Sequence, residues 1–225
     1  MRRLFAMGEI YMEYKFIIWD WNGTLLDDVG AALASVNDML ERRGKPPIDL
    51  DRYRECIGVP IRKFYEQVFD LENEDYNFMI REYNDGYARH AAACTLSDGA
   101  REALSYFSQK GARQVIVSSS HNDIVKAGVQ KLGIAEYFDE ILGARDYLAA
   151  SKTQRAVDYL SRSKAEKGTV LVVGDLEHDA ETAAEIGADC VLLSTGHEKR
   201  ERLKIAPVIE TLYELIPPKS KNISE

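Results

Sequence analysis

Residues 15–24 read KFIIWDWNGT, and this short stretch decides the fold. Its first five residues form a nearly continuous apolar run, which is typical of a parallel strand buried on both faces. The run ends in Asp20, and the pair Asn22-Gly23 that follows is a turn signal. The sequence therefore predicts a buried strand that carries Asp20 at its carboxyl end.

Beyond Ser97, apolar runs alternate with segments of helical spacing. Such alternation is typical of a parallel sheet with helices on both faces, so we expect an α/β fold with a Rossmann-like core. The predicted strands are 114–117, 138–142, 169–173 and 190–193. The predicted helices are 100–110, 122–132 capped by Asn122-Asp123, 151–161 capped by Ser151, a segment ending at 186, and 208–215.

Residues 28–94 have helical spacing and no strand signal. Helices are predicted at 29–43, 51–56, 61–69 and 74–92. Because the strand at 15–19 belongs with the later strands, the helical stretch is predicted to be an insertion. We therefore expect two domains, a core of residues 1–27 and 95–225 and a helical domain of residues 28–94. The N-terminal residues Met1–Met7 are expected to be a frayed extension, and Met7 or Met12 is an alternative start.

Composition excludes several classes of protein. The net charge is −8 without a long basic stretch, which argues against a nucleic-acid partner. No apolar run approaches the length of a membrane span. The three cysteines are far apart and lack CxxC spacing, so a disulfide framework or zinc site is not expected and a cytoplasmic location fits best. The sequence gives no indication of oligomeric state.

Polar residues follow three of the predicted strands, namely Asp20, Ser118 and Asp175. Ligands of open parallel sheets bind outside the carboxyl ends of the strands, so these side chains are expected to meet. An acid such as Asp20 alone is explained by helix capping. Beside Gly23-Thr24, whose backbone amides can face an anion, it becomes a candidate nucleophile that splits slow phosphate-ester hydrolysis into two easier steps.

Asp175 and Asp179 form a candidate metal site. A spacing of four places Asp179 on the first helical turn beyond Asp175, and carboxylate oxygens suit Mg²⁺. A helix N-terminus also favours acids, and for this pair alone the two explanations are equal. Together with Asp20, the metal site is favoured.

Ser118 and Lys152 are candidate phosphate-binding residues. A hydroxyl and backbone amides at a helix entrance bind phosphate, although a plain serine-rich turn is the alternative. A serine hydrolase using His121 is disfavoured because no GxSxG motif is present. A lysine that opens a helix opposes the helix dipole, which suggests an anionic neighbour, although a solvated lysine is more common.

These segments together resemble the haloacid dehalogenase superfamily of phosphohydrolases, in the branch with a helical cap inserted after the first strand. The cap size and residues 57–61 resemble phosphoglycolate phosphatase-like members. The family's first motif, DxDxT followed by hydrophobic residues and an acid, falls on residues 20–27 and matches except at one position. Its serine falls on Ser118, its lysine on Lys152 and its GDxxxD motif on residues 174–179.

The resemblance implies a Mg²⁺-dependent phosphatase acting on a small, phosphoglycolate-like metabolite. Asp20 would attack phosphorus, Lys152 would steady its carboxylate, and the cap would close over the site. The implied metal ligands are Asp20, the Asn22 carbonyl and Asp175, with Asp179 binding directly or through water. The implied phosphate-binding residues are Gly23, Thr24, Ser118, Ser119 and Lys152.

Asn22 departs from the family pattern. The usual aspartate protonates the leaving group and then activates water, and such catalysis is worth roughly 10²–10⁴-fold. Three explanations stay open. The substrate has a good leaving group, another group such as His121, His178 or a substrate hydroxyl supplies the proton, or the protein is a slow or inactive phosphoester binder.

Other activities in the family fit less well. A dehalogenase needs no metal, so retention of Asp175 and Asp179 speaks against it. A phosphonatase needs a cap lysine, and only Lys45 and Lys63 are available. A phosphoryl mutase depends still more on the acid that Asn22 replaces.

Substrate-binding residues of the cap are the least defined. Basic residues near the turn at 58–60 could bind a substrate carboxylate, although a solvated helix face is favoured. The tyrosines at helical spacing are expected to pack, and His90 and His197 have no predicted partner. The candidate basic residues are Arg54, Arg62 and Lys63, and the tyrosines are Tyr76, Tyr83 and Tyr87.

Overall fold

The computed structural model describes residues 14–145, 152–166 and 168–218. The predicted extension at Met1–Met7 and the predicted cap Ser151 lie outside the described residues. In the described part of the chain, no helix combines the length and the apolar character needed to cross a bilayer.

The core is a six-stranded sheet in which every pair of neighbours is parallel. Its order is β5-β4-β1-β6-β7-β8, so the strand that precedes Asp20 lies at the centre. A separate antiparallel pair joins β2 to β3. The strands are β1 (Phe16–Trp19), β2 (Leu26–Asp27), β3 (Thr95–Leu96), β4 (Arg113–His121), β5 (Glu140–Ala144), β6 (Val170–Gly174), β7 (Asp189–Leu193) and β8 (Val208–Ile209).

Helices cover both faces of this sheet. Successive residues of β1 point to opposite faces and therefore pack against different helices. Ile17 and Trp19 pack in one cluster with residues of α5 and α6. Phe16 and Ile18 pack in the other with residues of α7 and α8. The helices are α1 (Val29–Arg42), α2 (Leu50–Cys56), α3 (Arg62–Val68), α4 (Tyr76–His90), α5 (Ala100–Gln109), α6 (Asn122–Lys131), α7 (Lys152–Ser163) and α8 (Glu177–Ile186). The predicted α/β fold is confirmed.

Helices α1 to α4 lie between the two strands of the antiparallel pair and have their own apolar cluster. Met39 of α1, Phe64 of α3 and Met79 of α4 are buried there, and the cluster contains no residue of the large sheet. This arrangement is consistent with the predicted insertion, and the division into two domains stays a prediction.

The helix predicted at 208–215 is wrong. Val208 and Ile209 instead form β8, which pairs with Leu192 and Leu193 at the edge of the sheet. A short 3₁₀ helix, Leu212–Leu215, follows. The apolar spacing suits a helix, but pairing with an open sheet edge satisfies the backbone of the first two residues.

The predicted capping of α6 is also wrong. His121 is the cap residue, and its Nδ1 accepts a hydrogen bond from the Asp123 amide at 3.3 Å. Asn122 instead accepts from the amide of Gly143 at 3.0 Å, which ties the start of α6 to β5.

Candidate active site

Three carboxylates meet at the carboxyl edge of the sheet. Asp20 follows β1, Asp175 follows β6, and Asp179 lies on the first turn of α8. One side-chain oxygen from each lies within 4.8 Å of the others, and all three residues are buried. Because β1 and β6 are neighbours, the parallel register brings their terminal acids together.

Lys152 lies among these acids at the start of α7. Its Nζ donates to Asp20 Oδ1, and to Asp179 Oδ1 at 2.5 Å. Burial alone would lower the pKa of this lysine, but the charges of Asp179 and Asp20 outweigh it and raise the pKa. The ammonium therefore keeps its proton, and the lysine predicted from helix position has the anionic neighbours expected of it.

The carboxylates outnumber the single ammonium, and burial raises the pKa values of both Asp20 and Asp175. For Asp20 the rise is opposed mainly by Lys152, and for Asp175 mainly by His197. Excess buried negative charge is costly unless it is neutralised. The donor set, carboxylate oxygens in a close cluster, therefore fits a hard divalent cation such as Mg²⁺.

Asp179 differs from the other two acids in its hydrogen bonds. Its Oδ2 accepts from the amides of Asp175 and Leu176, each at 3.1 Å, while Oδ1 accepts from Lys152. Both oxygens are thus engaged in orienting the lysine and the loop after β6. Whether Asp179 binds a metal directly or through water stays a prediction.

Gly23 and Thr24 fix the loop after Asp20. Gly23 has a φ of 71°, and a Cβ there would lie 2.4 Å from Asp175 Oδ2, so this position requires glycine. Thr24 is fully buried and its Oγ1 donates to Asp175 Oδ1 at 3.3 Å. The two residues hold the loops after β1 and β6 together.

Ser118 lies near the end of β4 on the other side of β1. Trp19 pairs with Ile116, so Ser118 falls two residues beyond that pair, at the edge where Asp20 lies. Ser118 is buried and accepts from the amide of Ser120 at 3.1 Å, whereas Ser119 is exposed. Phosphate binding by these hydroxyls stays a prediction.

The three basic residues proposed for the cap occupy different settings. Arg54 donates to the carbonyl oxygens of Thr195 at 2.6 Å and Gly196 at 3.0 Å, so it joins α2 to the loop after β7. Arg62 pairs with Glu66, and Lys63 is exposed. Binding of a substrate carboxylate by any of them stays a prediction.

His197 is a residue of the site that sequence reasoning missed. Its backbone amide donates to Asp175 Oδ2 at 2.6 Å, and its ring nitrogens contact Asp28 Oδ1 at 3.2 Å and the Tyr53 hydroxyl at 2.9 Å. Burial lowers its pKa, but the hydrogen bond and charge of Asp28, with the charges of Asp175 and Asp20, raise it to about 9. No local pattern indicates this residue, because Asp28 lies 169 positions away.

Asp28 and Tyr87 are the other residues that were missed. Asp28 is 1% exposed, and its Oδ2 accepts from Asn22 Nδ2 at 2.7 Å and from the Tyr87 hydroxyl at 2.6 Å. Tyr87 packs against the apolar cluster of α1 to α4 as expected, and its hydroxyl oxygen also accepts a hydrogen bond from Asn22. The available sequence signal was the acidic pair Asp27-Asp28 at the end of the first motif, of which the structure exposes the first member and buries the second.

Comparisons with known proteins identify the family. The family model described as haloacid dehalogenase-like hydrolase matches residues 17–193. A phosphoglycolate phosphatase of Pseudomonas fluorescens is 25% identical over 215 residues, covering 90% of this chain and 79% of the relative. The probable phosphatase IndB of Dickeya dadantii is 26% identical over 210 residues, covering 89% and 91%.

Solved structures agree on the fold. A haloacid dehalogenase-like hydrolase from Streptococcus pneumoniae has a TM-score of 0.78 at 18% identity, and the match covers 90% of this chain and 97% of that one. The predicted enzyme class, a phosphatase, agrees with the names of the relatives. The match over residues 17–193 shows that this chain belongs to the haloacid dehalogenase-like hydrolase family.

Proposed function

We propose that this chain is a Mg²⁺-dependent phosphatase that hydrolyses a small phosphorylated metabolite through an aspartyl-phosphate on Asp20. The observation that carries the proposal is the buried cluster of Asp20, Asp175 and Asp179, in which the ammonium of Lys152 contacts Asp20 and Asp179. A carboxylate held by a buried lysine beside further acids is suited to attack phosphorus. A carboxylate that only capped a helix would need none of these partners.

Asp20 and Asp175, with the backbone carbonyl of Asn22, would hold the cation, and Asp179 would support them. When bound, the cation would neutralise the repulsion between the attacking carboxylate and the phosphate. Lys152 orients Asp20 and adds positive charge for the phosphoryl oxygens. Ser118 and Ser119, with the loop at Gly23-Thr24, would bind the remaining oxygens.

Asn22 limits the range of substrates. Its amide has no proton to transfer at neutral pH, so the proposal expects aryl and acyl phosphates to react faster than alkyl phosphates. The same residue favours the second candidate, a slow or inactive protein that binds phosphoesters on this fold. Magnesium-dependent turnover distinguishes the two.

A phosphoglycolate-like substrate is supported by relatives of about 25% identity that carry this name. A dehalogenase is disfavoured because Asp175 and Asp179 are kept in the cluster with Asp20. A phosphonatase is disfavoured because Lys45 and Lys63, the two cap lysines considered for it, are exposed.

The test is phosphate release from p-nitrophenyl phosphate with Mg²⁺ or with EDTA. The parent should release phosphate only with Mg²⁺, and Asp20→Asn should reduce release to background. Asp51→Asn is the matched control, because it makes the same change on an exposed side chain of α2. Phosphate release by Asp20→Asn at the parental rate would overturn the mechanism. A panel that includes phosphoglycolate then ranks substrates.

A further inference from the structure

The side chain of Asn22 is fixed by three polar groups. Its Nδ2 donates to Asp28 Oδ2 at 2.7 Å and to the Tyr87 hydroxyl oxygen at 2.8 Å. Its Oδ1 accepts from the Ser120 hydroxyl at 2.6 Å. An amide supplies two donated hydrogens and one acceptor, which is what these three neighbours require.

Asp28 is the acceptor on which this arrangement depends. Its Oδ2 also accepts from Tyr87 at 2.6 Å, while Oδ1 accepts from the Gly23 amide at 2.7 Å and contacts His197 Nε2. The carboxylate is 1% exposed and its partners on all sides are donors. Asp28 therefore holds the loop after Asp20 by two of its residues, Asn22 and Gly23.

An aspartate at position 22 would not fit this setting. It would replace the donating amide by a second carboxylate, half-buried and about 2.7 Å from the oxygen of the buried Asp28. Like charges at such separation in a buried site are strongly unfavourable, and the pair must take up a proton or move apart. A protonated acid at position 22 has one hydrogen to donate where the amide donates two, and separation of the pair moves the loop that carries Asp20.

We propose that Asn22 and Asp28 are a matched amide–carboxylate pair, in which Asp28 is a positioning residue for the loop of Asp20. The inference rests on the proposed phosphatase function. If Asn22 were only a missing acid, an aspartate at position 22 would raise activity. With Asp28 present, the pairing predicts that this aspartate lowers activity. The two side chains can be exchanged, so activity is kept when position 22 carries the carboxylate and position 28 carries the amide.

The experiment is a double-mutant cycle of four chains, the parent, Asn22→Asp, Asp28→Asn and the reciprocal double variant. Residues in contact couple strongly, so each single variant should lose about tenfold or more in kcat/KM on alkyl and aryl phosphates, through kcat. The double variant should regain most of the loss. Asn77→Asp, the same change on an exposed residue of α4, should leave kcat/KM unaltered.

Two results would overturn the pairing. One is a gain of kcat/KM in Asn22→Asp with Asp28 intact, which would make Asn22 a missing acid. The other is a double variant as impaired as the two single losses combined. If Asp28→Asn fails to fold, Asn22→Asp alone decides, since a loss supports the proposal and a gain refutes it.

Thermal unfolding of the same chains separates this inference from the proposed function. If the parent releases no phosphate with Mg²⁺, the proposed function fails. The pairing is then decided by whether the double variant unfolds at a higher temperature than the summed single losses predict. Additive losses in unfolding temperature refute it.

Discussion

Replacing Lys152 with methionine removes the buried ammonium while keeping a side chain of similar length. Its Nζ donates to Asp20 and Asp179, and Asp175 belongs to the same cluster, so the variant leaves three buried carboxylates without that cation. Breaking a buried ion pair by removing one partner costs about 3–5 kcal/mol. At about 2–4 °C per kcal/mol for a chain of this size, the unfolding temperature should fall by roughly 6–20 °C.

The assay is thermal unfolding in EDTA and again in Mg²⁺. The variant cluster has the same acids and one positive charge fewer, so added Mg²⁺ should raise its unfolding temperature more than that of the parent. Phosphatase activity should stay lost in both buffers, because the cation cannot replace the hydrogen bond that orients Asp20. Lys63→Met, at an exposed lysine of α3, is the matched control and should change little.

The reasoning is refuted if, in EDTA, the unfolding temperature of Lys152→Met lies within the experimental spread of that of Lys63→Met. That outcome would mean that the lysine contributes nothing to the burial of the acids. Equal gains from Mg²⁺ in parent and variant would refute the view that lysine and cation compensate the same negative charge.

Two further predictions concern pH and the loop glycine. Burial raises the folded pKa of Asp20 to about 6 and of Asp175 to about 8 from a usual 3.8, and His197 is raised from 6.5 to about 9. A group whose pKa is higher in the folded protein stabilises the folded state at low pH, and this contribution is lost as the pH rises. Urea titrations in the presence of EDTA should therefore show that the contribution of these groups to the free energy of unfolding falls between about pH 4 and 9. The assignment would be contradicted if the contribution of these groups to the free energy of unfolding rose with pH over that range. Gly23→Ala should lower the unfolding temperature and abolish phosphate release, whereas Gly111→Ala, at a φ of 75° with no atom within 4 Å of the added Cβ, should cost only backbone strain.

The acids and the lysine could be predicted because their signals are local. Asp20 and Asp175 each follow a short apolar run, and Lys152 opens a helix. Parallel strands then bring such ends to one edge whatever the length of chain between them. The parallel sheet with helices on both faces followed from the alternation of strands and helices.

The pair of Asn22 with Asp28 and its contacts could not be predicted in this way. Tyr87 lies 65 residues from Asn22, and His197 lies 169 residues from Asp28. Such contacts depend on how the helical insertion and the loop after β7 pack against the core, for which sequence spacing gives no measure. The strand Val208–Ile209 was missed for a related reason, since its pairing with β7 overrides a helical pattern.

The most direct test of the central claim is covalent trapping of the phosphoryl group on Asp20. The protein is mixed with Mg²⁺ and an acyl phosphate labelled in its phosphoryl group, and the reaction is quenched in acid. One portion is treated with hydroxylamine to test release of the phosphoryl label. A second portion is reduced with tritiated borohydride, which expels the phosphate and leaves tritium on the reduced side chain for peptide mapping. The account predicts a hydroxylamine-sensitive label on the parent, with the reduced residue at position 20, and no label on Asp20→Asn. Label that persists in Asp20→Asn, or maps to another residue, would contradict it.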